Sequence, residues 1–237
     1  MDRAVEGTTR EYVSSLSLEP GMVCADVGTG IGGVTRLLCQ RVGPTGRVVA
    51  TDLETKWLSE LEEPNLEVRR ANILTDPLGD SEFDFIHARA LLSHLDPTVA
   101  LSNMVRALRP GGLLVVGDPD LGTAGMAYPR IEALERYWEA LTKLLAAAGG
   151  DAYTGRKLPH LLSTVGLVDI QARGLIFLSW TEDVYVSVFK HVAPIMVGSG
   201  LLSAEDVAAI QSLPRGTDSF SYGIAAIVAS GRKPQDT

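Results

Sequence analysis

The chain has 237 residues, 46% of them hydrophobic, and carries 21 lysines and arginines against 29 aspartates and glutamates, a formal net charge of −8. That length fits one large α/β domain with a sizeable core, while the acidic balance and the lack of any basic stretch argue against a nucleic-acid backbone as partner. Residues 1–7 bear charges where a signal peptide needs an apolar core, and no apolar run is long enough for a bilayer, so a cytoplasmic protein without membrane contact is expected.

In chain order, residues 8–18 read as a helix with Tyr12, Val13 and Leu16 on its apolar side. Residues 22–27 form a short apolar strand that runs straight into Gly28-x-Gly30-x-x-Gly33. Val34, Leu37, Leu38 and Val42 then give one apolar stripe on a helix. A second strand over 47–52 closes on Asp52, Trp57, Leu58 and Leu61 suggest a short helix, and a third strand over 66–70 leads to Asn72 and Ile73. Residues 83–88 make a fourth strand, and Val99, Leu101, Met104, Val105 and Leu108 line the next helix, which Leu108-Arg109-Pro110-Gly111-Gly112 stops. A fifth strand over 113–117 ends at Gly117-Asp118-Pro119-Asp120. Ile131, Leu134, Trp138, Leu141 and Leu145 line a helix with Glu132, Glu135, Arg136 and Glu139 outside. Strands over 167–173 and 222–230 flank a helical insertion over 181–213. Strand alternating with helix implies a parallel sheet with right-handed crossovers.

Glycines suit the turn after the first strand because a side chain would hold a ligand off the backbone and resist positive φ. Asp52 sits at the carboxyl end of its strand, where open α/β sheets bind ligands, and its acceptor-only carboxylate suits the paired hydroxyls of a ribose. Asn72 can hydrogen-bond an adenine or cap its own turn, and Ile73 can press on the base. An adenosine leaves both NAD and S-adenosylmethionine open. Tyr153 and Lys157 match the Tyr-x-x-x-Lys pair of short-chain dehydrogenases, but Gly155 and Pro159 discourage the continuous helix that pair needs. Cys24 and Cys39 have no metal-ligand or redox spacing, so a reducing compartment and no metal are expected.

The strand Val23-Cys24-Ala25-Asp26-Val27-Gly28-Thr29-Gly30, the acid Asp52, the stretch Phe83-Asp84-Phe85-Ile86-His87-Ala88-Arg89 and the Leu108-Arg109-Pro110-Gly111-Gly112 turn resemble the successive motifs of class I S-adenosylmethionine-dependent methyltransferases. The resemblance spans about 17–118. It implies a Rossmann-like three-layer α/β sandwich, with a mostly parallel seven-stranded sheet, a reversed last strand and a helical lid. Within a single domain over 1–237, the core is then expected over about 17–120, 155–178 and 220–232, and the lid over 1–16, 121–154 and 179–219. It further implies that S-adenosylmethionine lies along Gly28, Thr29 and Gly30, with Asp26 facing its amino group directly or through water, Asp52 its ribose, Leu53 its adenine, and Asn72 replacing a common Asp. Ala88 and Arg89 correspond to the place where cofactor and methyl acceptor meet, and Arg89 is able to bind a carboxylate. Gly117 stands where an acidic residue is common.

His94 is the first choice of general base, with Asp118 and Tyr153 next and Asp120 and His160 behind them. His87 is expected inside the sheet and His191 in the lid. Phe177, Trp180, Tyr185, Phe189 and Met196 either roof an apolar pocket for a small organic acceptor or form the insertion's own core. Methyl transfer to oxygen, nitrogen or carbon, as in specialised metabolism, is the leading reading. The alternative is an S-adenosylmethionine-binding protein that catalyses cyclisation or elimination or serves as a subunit. The lid could also pair two chains as a homodimer or hold a partner subunit.

Overall fold

Three strands with almost no exposed side chain lie at the centre of the sheet, and this sets the architecture. The computed structural model describes residues 11–16, 18–180, 186–213 and 220–235. β1 (Val23–Val27), β2 (Arg47–Asp52) and β4 (Phe83–Arg89) are buried on both faces, as parallel strands under two helical layers must be, whereas β3 (Leu66–Arg70) is half exposed at the edge. The order is β3-β2-β1-β4-β5-β8, with β5 over Leu108–Asp120 and β8 over Phe220–Arg232. β7 (Val168–Trp180) pairs with β8, and the two-residue β6 (Ala127–Tyr128) pairs antiparallel with the start of β8. Pairs β1–β2, β1–β4, β2–β3 and β4–β5 are parallel. Near the start of β5, Gly111 N–H donates to Lys233 O, while further along β5 Gly117 lies beside Ile227 and Val228. The last strand therefore runs against β5, as expected.

The chain divides into two compact units, one from 2–118, 156–173 and 227–237, the other from 119–155 and 174–226. In the first, Ala25, Val27, Val49, Ile86, Ala88 and Leu114 pack against α2 (Pro97–Ala107) and α4 (Thr154–Thr164) through Leu101, Met104, Leu158 and Leu162. On the opposite face Cys24, Val48, Phe85 and Val115 pack against α1 (Gly33–Val42) and against Tyr12 and Val13. Each Val, Leu, Ile, Met or Phe side chain among these contributes about 1.5–3 kcal/mol on leaving water. Tyr12 belongs to this core, its hydroxyl donating to Ser230 Oγ at 2.9 Å. Asp96 caps α2 by accepting from Thr98 and Val99 N–H, with Pro97 in the first turn. The Cys24 and Cys39 thiols are each pushed up to about 12, chiefly by burial, and are inert at neutral pH.

In the second unit, α3 (Glu132–Ala147), α5 (Val186–Gly198) and α6 (Ala204–Gln211) share a core of Leu134, Tyr137, Trp138, Phe189, Met196 and Ile210. Tyr137 meets Trp138 edge-on at 5.2 Å. Arg136 reaches from α3 to Asp206 at 2.8 Å, and Ser203 caps α6. Phe189 and Met196 are thus the insertion's own core, which removes them from a pocket roof. Tyr185 and the side chains of Phe177 and Trp180 lie outside the described residues.

Three expectations about elements need correction. β5 starts at Leu108, because Leu108 already pairs with Phe83 and residues 109–112 form a bulge before Leu113 pairs with Phe85. Pro110 is tolerated inside that irregularity. α4 continues through Gly155 and Pro159, since Leu158 and Leu162 are fully buried and their packing outweighs one lost backbone hydrogen bond. β7 extends to Trp180, beyond residue 173. No helix among the described residues is long and apolar enough to cross a membrane.

Candidate functional site

The tips of β1, β2, β4 and β5 carry the groups singled out in the sequence. After β1 the chain folds back, with Gly28 N–H and Thr29 N–H donating to Thr51 O on β2. Gly28, Gly30 and Gly32 adopt left-handed φ of 69°, 56° and 78°. A Cβ on Gly28 would stand 3.0 Å from Leu91, and one on Gly32 would meet Leu61 at 2.4 Å. Around Gly30 a Cβ would meet nothing within 4 Å, so this turn is bare on its open side. The third left-handed glycine is Gly32, the residue before α1, rather than Gly33. The Gly32-Gly33 pair was the signal available for it.

Asp52 closes the turn from the neighbouring strand. Its Oδ2 accepts from Gly30 N–H at 2.9 Å and its Oδ1 from Glu54 N–H at 3.0 Å. A carboxylate has about four acceptor positions, so two remain for a diol. Leu53 and Trp57 follow with 62% and 52% exposure, an apolar surface beside that acid. Arg70, level with Asp52 on β3, donates from Nε to Leu53 O at 3.0 Å and holds the segment after Asp52. Sequence reading missed Arg70, since its role depends on cross-strand register.

Asp26 is more committed than expected. Its Oδ2 accepts from Thr35 Oγ1 of α1 at 2.6 Å and its Oδ1 faces His87 Nδ1 of β4 at 2.8 Å, all buried between the sheet and α1. A carboxylate only accepts, so Nδ1 carries a hydrogen, and Nε2 is the ring nitrogen that this pair leaves over. That Nε2 and the Thr29 hydroxyl are both buried without a hydrogen-bond partner.

Asn72 caps its own turn, its Oδ1 accepting from Leu74 N–H at 3.0 Å and its carbonyl from Thr75 and Asp76 N–H. Its amide NH2, a donor, and one lone pair of Oδ1 are left for a base. Ile73 is buried in the core, which leaves little of it for an adenine face. Ala88 is fully buried and offers backbone alone. Ala90 turns left-handed at φ 50°, strain that alanine does not advertise in a sequence, and its N–H donates to Gly117 O at 2.7 Å.

Among the base candidates, Asp118 is buried and accepts from Ser93 N–H at 2.9 Å and Leu92 N–H at 3.4 Å. Burial drives its carboxyl above the ordinary range against those hydrogen bonds and the nearby His94. The native state then holds the Asp118 proton more tightly than the unfolded chain. Its contribution to stability is full below the ordinary carboxylate pKa and disappears as pH rises through the raised native value. Asp118→Asn is therefore expected to flatten stability against pH, and urea unfolding at pH values rising from about 4, the ordinary carboxylate value, should show the wild type losing more than the variant. Equal slopes would refute it.

His94 is exposed at the end of the short 3-10 turn Leu92–His94 that Asp118 clips. Asp120 accepts from Gly122 N–H, His160 is exposed on α4, and Tyr153 stands just before α4 in the second unit. His87 lies inside the sheet, and His191 is exposed on α5.

A family model described as "Methyltransferase domain" matches residues 25–116, the stretch that runs from β1 through the glycine turn and Asp52 into β5. Those residues carry a methyltransferase domain. An uncharacterized 37.1 kDa transposon protein of Streptomyces fradiae is 32% identical over 173 residues, 69% of this chain and 49% of that protein. The chain spans about half the length of the curated relatives it matches. Among solved structures, a Haemonchus contortus phosphoethanolamine N-methyltransferase 2 bound to S-adenosylhomocysteine aligns with TM-score 0.62 and 15% identity, covering 96% of this chain and 53% of that one. A geranyl diphosphate C-methyltransferase of Streptomyces coelicolor A3(2) aligns with TM-score 0.58 and 17% identity, covering 96% and 76%. At these identities the two structures bear on the fold of the methyltransferase domain alone.

Proposed function

We propose that this protein binds S-adenosylmethionine at the tips of β1 and β2 and transfers its methyl group to a small organic acceptor. The observation that carries the reading is the bond from Gly30 N–H to the Asp52 carboxylate, which sets an acid with spare lone pairs beside a bare left-handed turn. The orphaned Thr29 hydroxyl and His87 Nε2 fit a polar ligand end there. When bound, the cofactor supplies a sulfonium methyl already activated for direct displacement. The chain's residues then have to hold the acceptor in line, exclude water and take any proton the acceptor loses.

In this reading Gly28, Thr29 and Gly30 line the cofactor, Asp52 holds its ribose, and Leu53 and Trp57 cover its adenine. His94 takes the proton, and Asp118 positions it by fixing the amide of Ser93. His94→Ala is expected to lower turnover about 10²- to 10⁴-fold with cofactor affinity unchanged; an unimpaired rate would dismiss His94 as base. Titration calorimetry tests the whole reading. S-adenosylhomocysteine should give saturable heat and NADH none, and the opposite pair of results would restore the dehydrogenase reading. Binding without methyl transfer to any acceptor in a broad panel would favour the subunit alternative.

A further inference from the structure

We infer that Arg89 forms an oxyanion subsite and that the methyl acceptor presents a carboxylate or phosphate to it, an inference that rests on the function proposed above. Among the described arginines Arg89 stands apart. Every other one has an acid, a carbonyl oxygen, an aromatic ring or another partner. Arg89 has none among the described residues, although it is partly buried at the C-terminal tip of β4. A guanidinium that has lost part of its hydration and found no acceptor is poised for an anion, which it can grip with two parallel hydrogen bonds.

The acids nearby are spoken for. Asp118 follows Gly117, the partner of Arg89 in register, so it points to the opposite sheet face, where it takes the amides of Leu92 and Ser93. Asp26 shares the Arg89 face but has Thr35 and His87 on its two oxygens. Asp52 lies two strands away, roughly 10 Å, on the far side of β1.

Gly117 explains why the charge stays uncompensated. Its backbone is not left-handed, and a Cβ there would make only ordinary contacts, with Val228 at 3.6 Å, Ile227 O at 3.7 Å and Arg89 Cγ at 3.8 Å. Nothing steric forbids a side chain, and an acid at this position would reach Arg89 and neutralise it. The glycine therefore acts electrostatically: it keeps the guanidinium available. Because the cofactor is assigned to the tips of β1 and β2, whatever lies over β4 and β5 is the acceptor, and its anionic group is what Arg89 meets.

The test uses protein saturated with S-adenosylhomocysteine, into which benzoate and inorganic phosphate are titrated separately. The Arg89 Nε–H resonance is followed, assigned by its absence in Arg89→Gln. One of the two anions should shift it saturably, and Gly117→Asp, which places an internal partner beside Arg89, should abolish that response in a folded protein. Wild type and Arg89→Gln should bind S-adenosylhomocysteine within about twofold of one another, a difference under 0.5 kcal/mol. The inference is overturned if neither anion moves the resonance up to about 50 mM, near 2 kcal/mol of binding, or if Gly117→Asp leaves the response intact. It is equally overturned if Arg89→Gln weakens S-adenosylhomocysteine tenfold, since the guanidinium then serves the cofactor's own carboxylate. Wild-type protein that gives no heat with S-adenosylhomocysteine would sink the proposed function instead, and the same anion titration on ligand-free protein would still decide for or against the subsite.

Discussion

Asp26→Ala should destabilise the ligand-free protein by on the order of 3 kcal/mol in urea unfolding, because it strands the buried His87 Nδ1–H of β4 and the buried Thr35 hydroxyl of α1, each at a cost of about 1–3 kcal/mol. Asp26→Asn should fall between, since one amide oxygen replaces one of two acceptors and the NH2 opposes the other donor. The point at issue is what this acid is for. If Asp26 served mainly as a contact for a ligand's amino group, the ligand-free protein would barely notice its removal, and a loss below about 1 kcal/mol would return it to that role. The bonds favour the other answer: both oxygens are engaged by the protein itself, and the acid fixes which nitrogen of His87 carries hydrogen. The pair is then scaffolding under the glycine turn, with His87 Nε2 as the group it leaves over.

What the sequence disclosed and what it hid divide along chain distance. The turn from Gly28 to Gly30 and the strand end at Asp52 are local patterns, readable from apolar runs meeting glycines, and β1, β2 and β3 were expected within a residue of where they lie. The link between Asp26 and His87 spans 61 positions and exists only through the register of β1 against β4. The clip from Asp118 onto Leu92 and Ser93 depends likewise on the packing of β5 beside β4. Ala90 in a left-handed turn and the bulge before Leu113 are imposed by neighbours, against the preferences of the residues themselves. The Pro159 helix shows tertiary packing overruling a local rule that is sound for isolated helices.

Asp52→Ala, by contrast, should leave stability almost untouched and weaken S-adenosylhomocysteine binding about 10- to 100-fold, or 1.4–2.7 kcal/mol. Asp52 is only partly buried, and the Gly30 and Glu54 amides it holds are exposed enough for water to replace it. The ligand loses more, because a diol facing a carboxylate makes two charge-assisted hydrogen bonds that a methyl group cannot offer, and because the Gly30 turn loses its tether to β2. The two contributions separate in Asp52→Asn, whose amide oxygen still accepts from Gly30 but whose charge is gone. Affinity near that of the alanine variant would assign the loss to the diol, and affinity near wild type would assign it to the tether. Calorimetry on both variants beside their urea midpoints therefore sets the two strand-tip acids apart: loss of Asp26 should be felt first in stability, loss of Asp52 first in binding. Unchanged affinity in Asp52→Ala would remove this carboxylate from the site and, with it, the main support for adenosine at these strand tips.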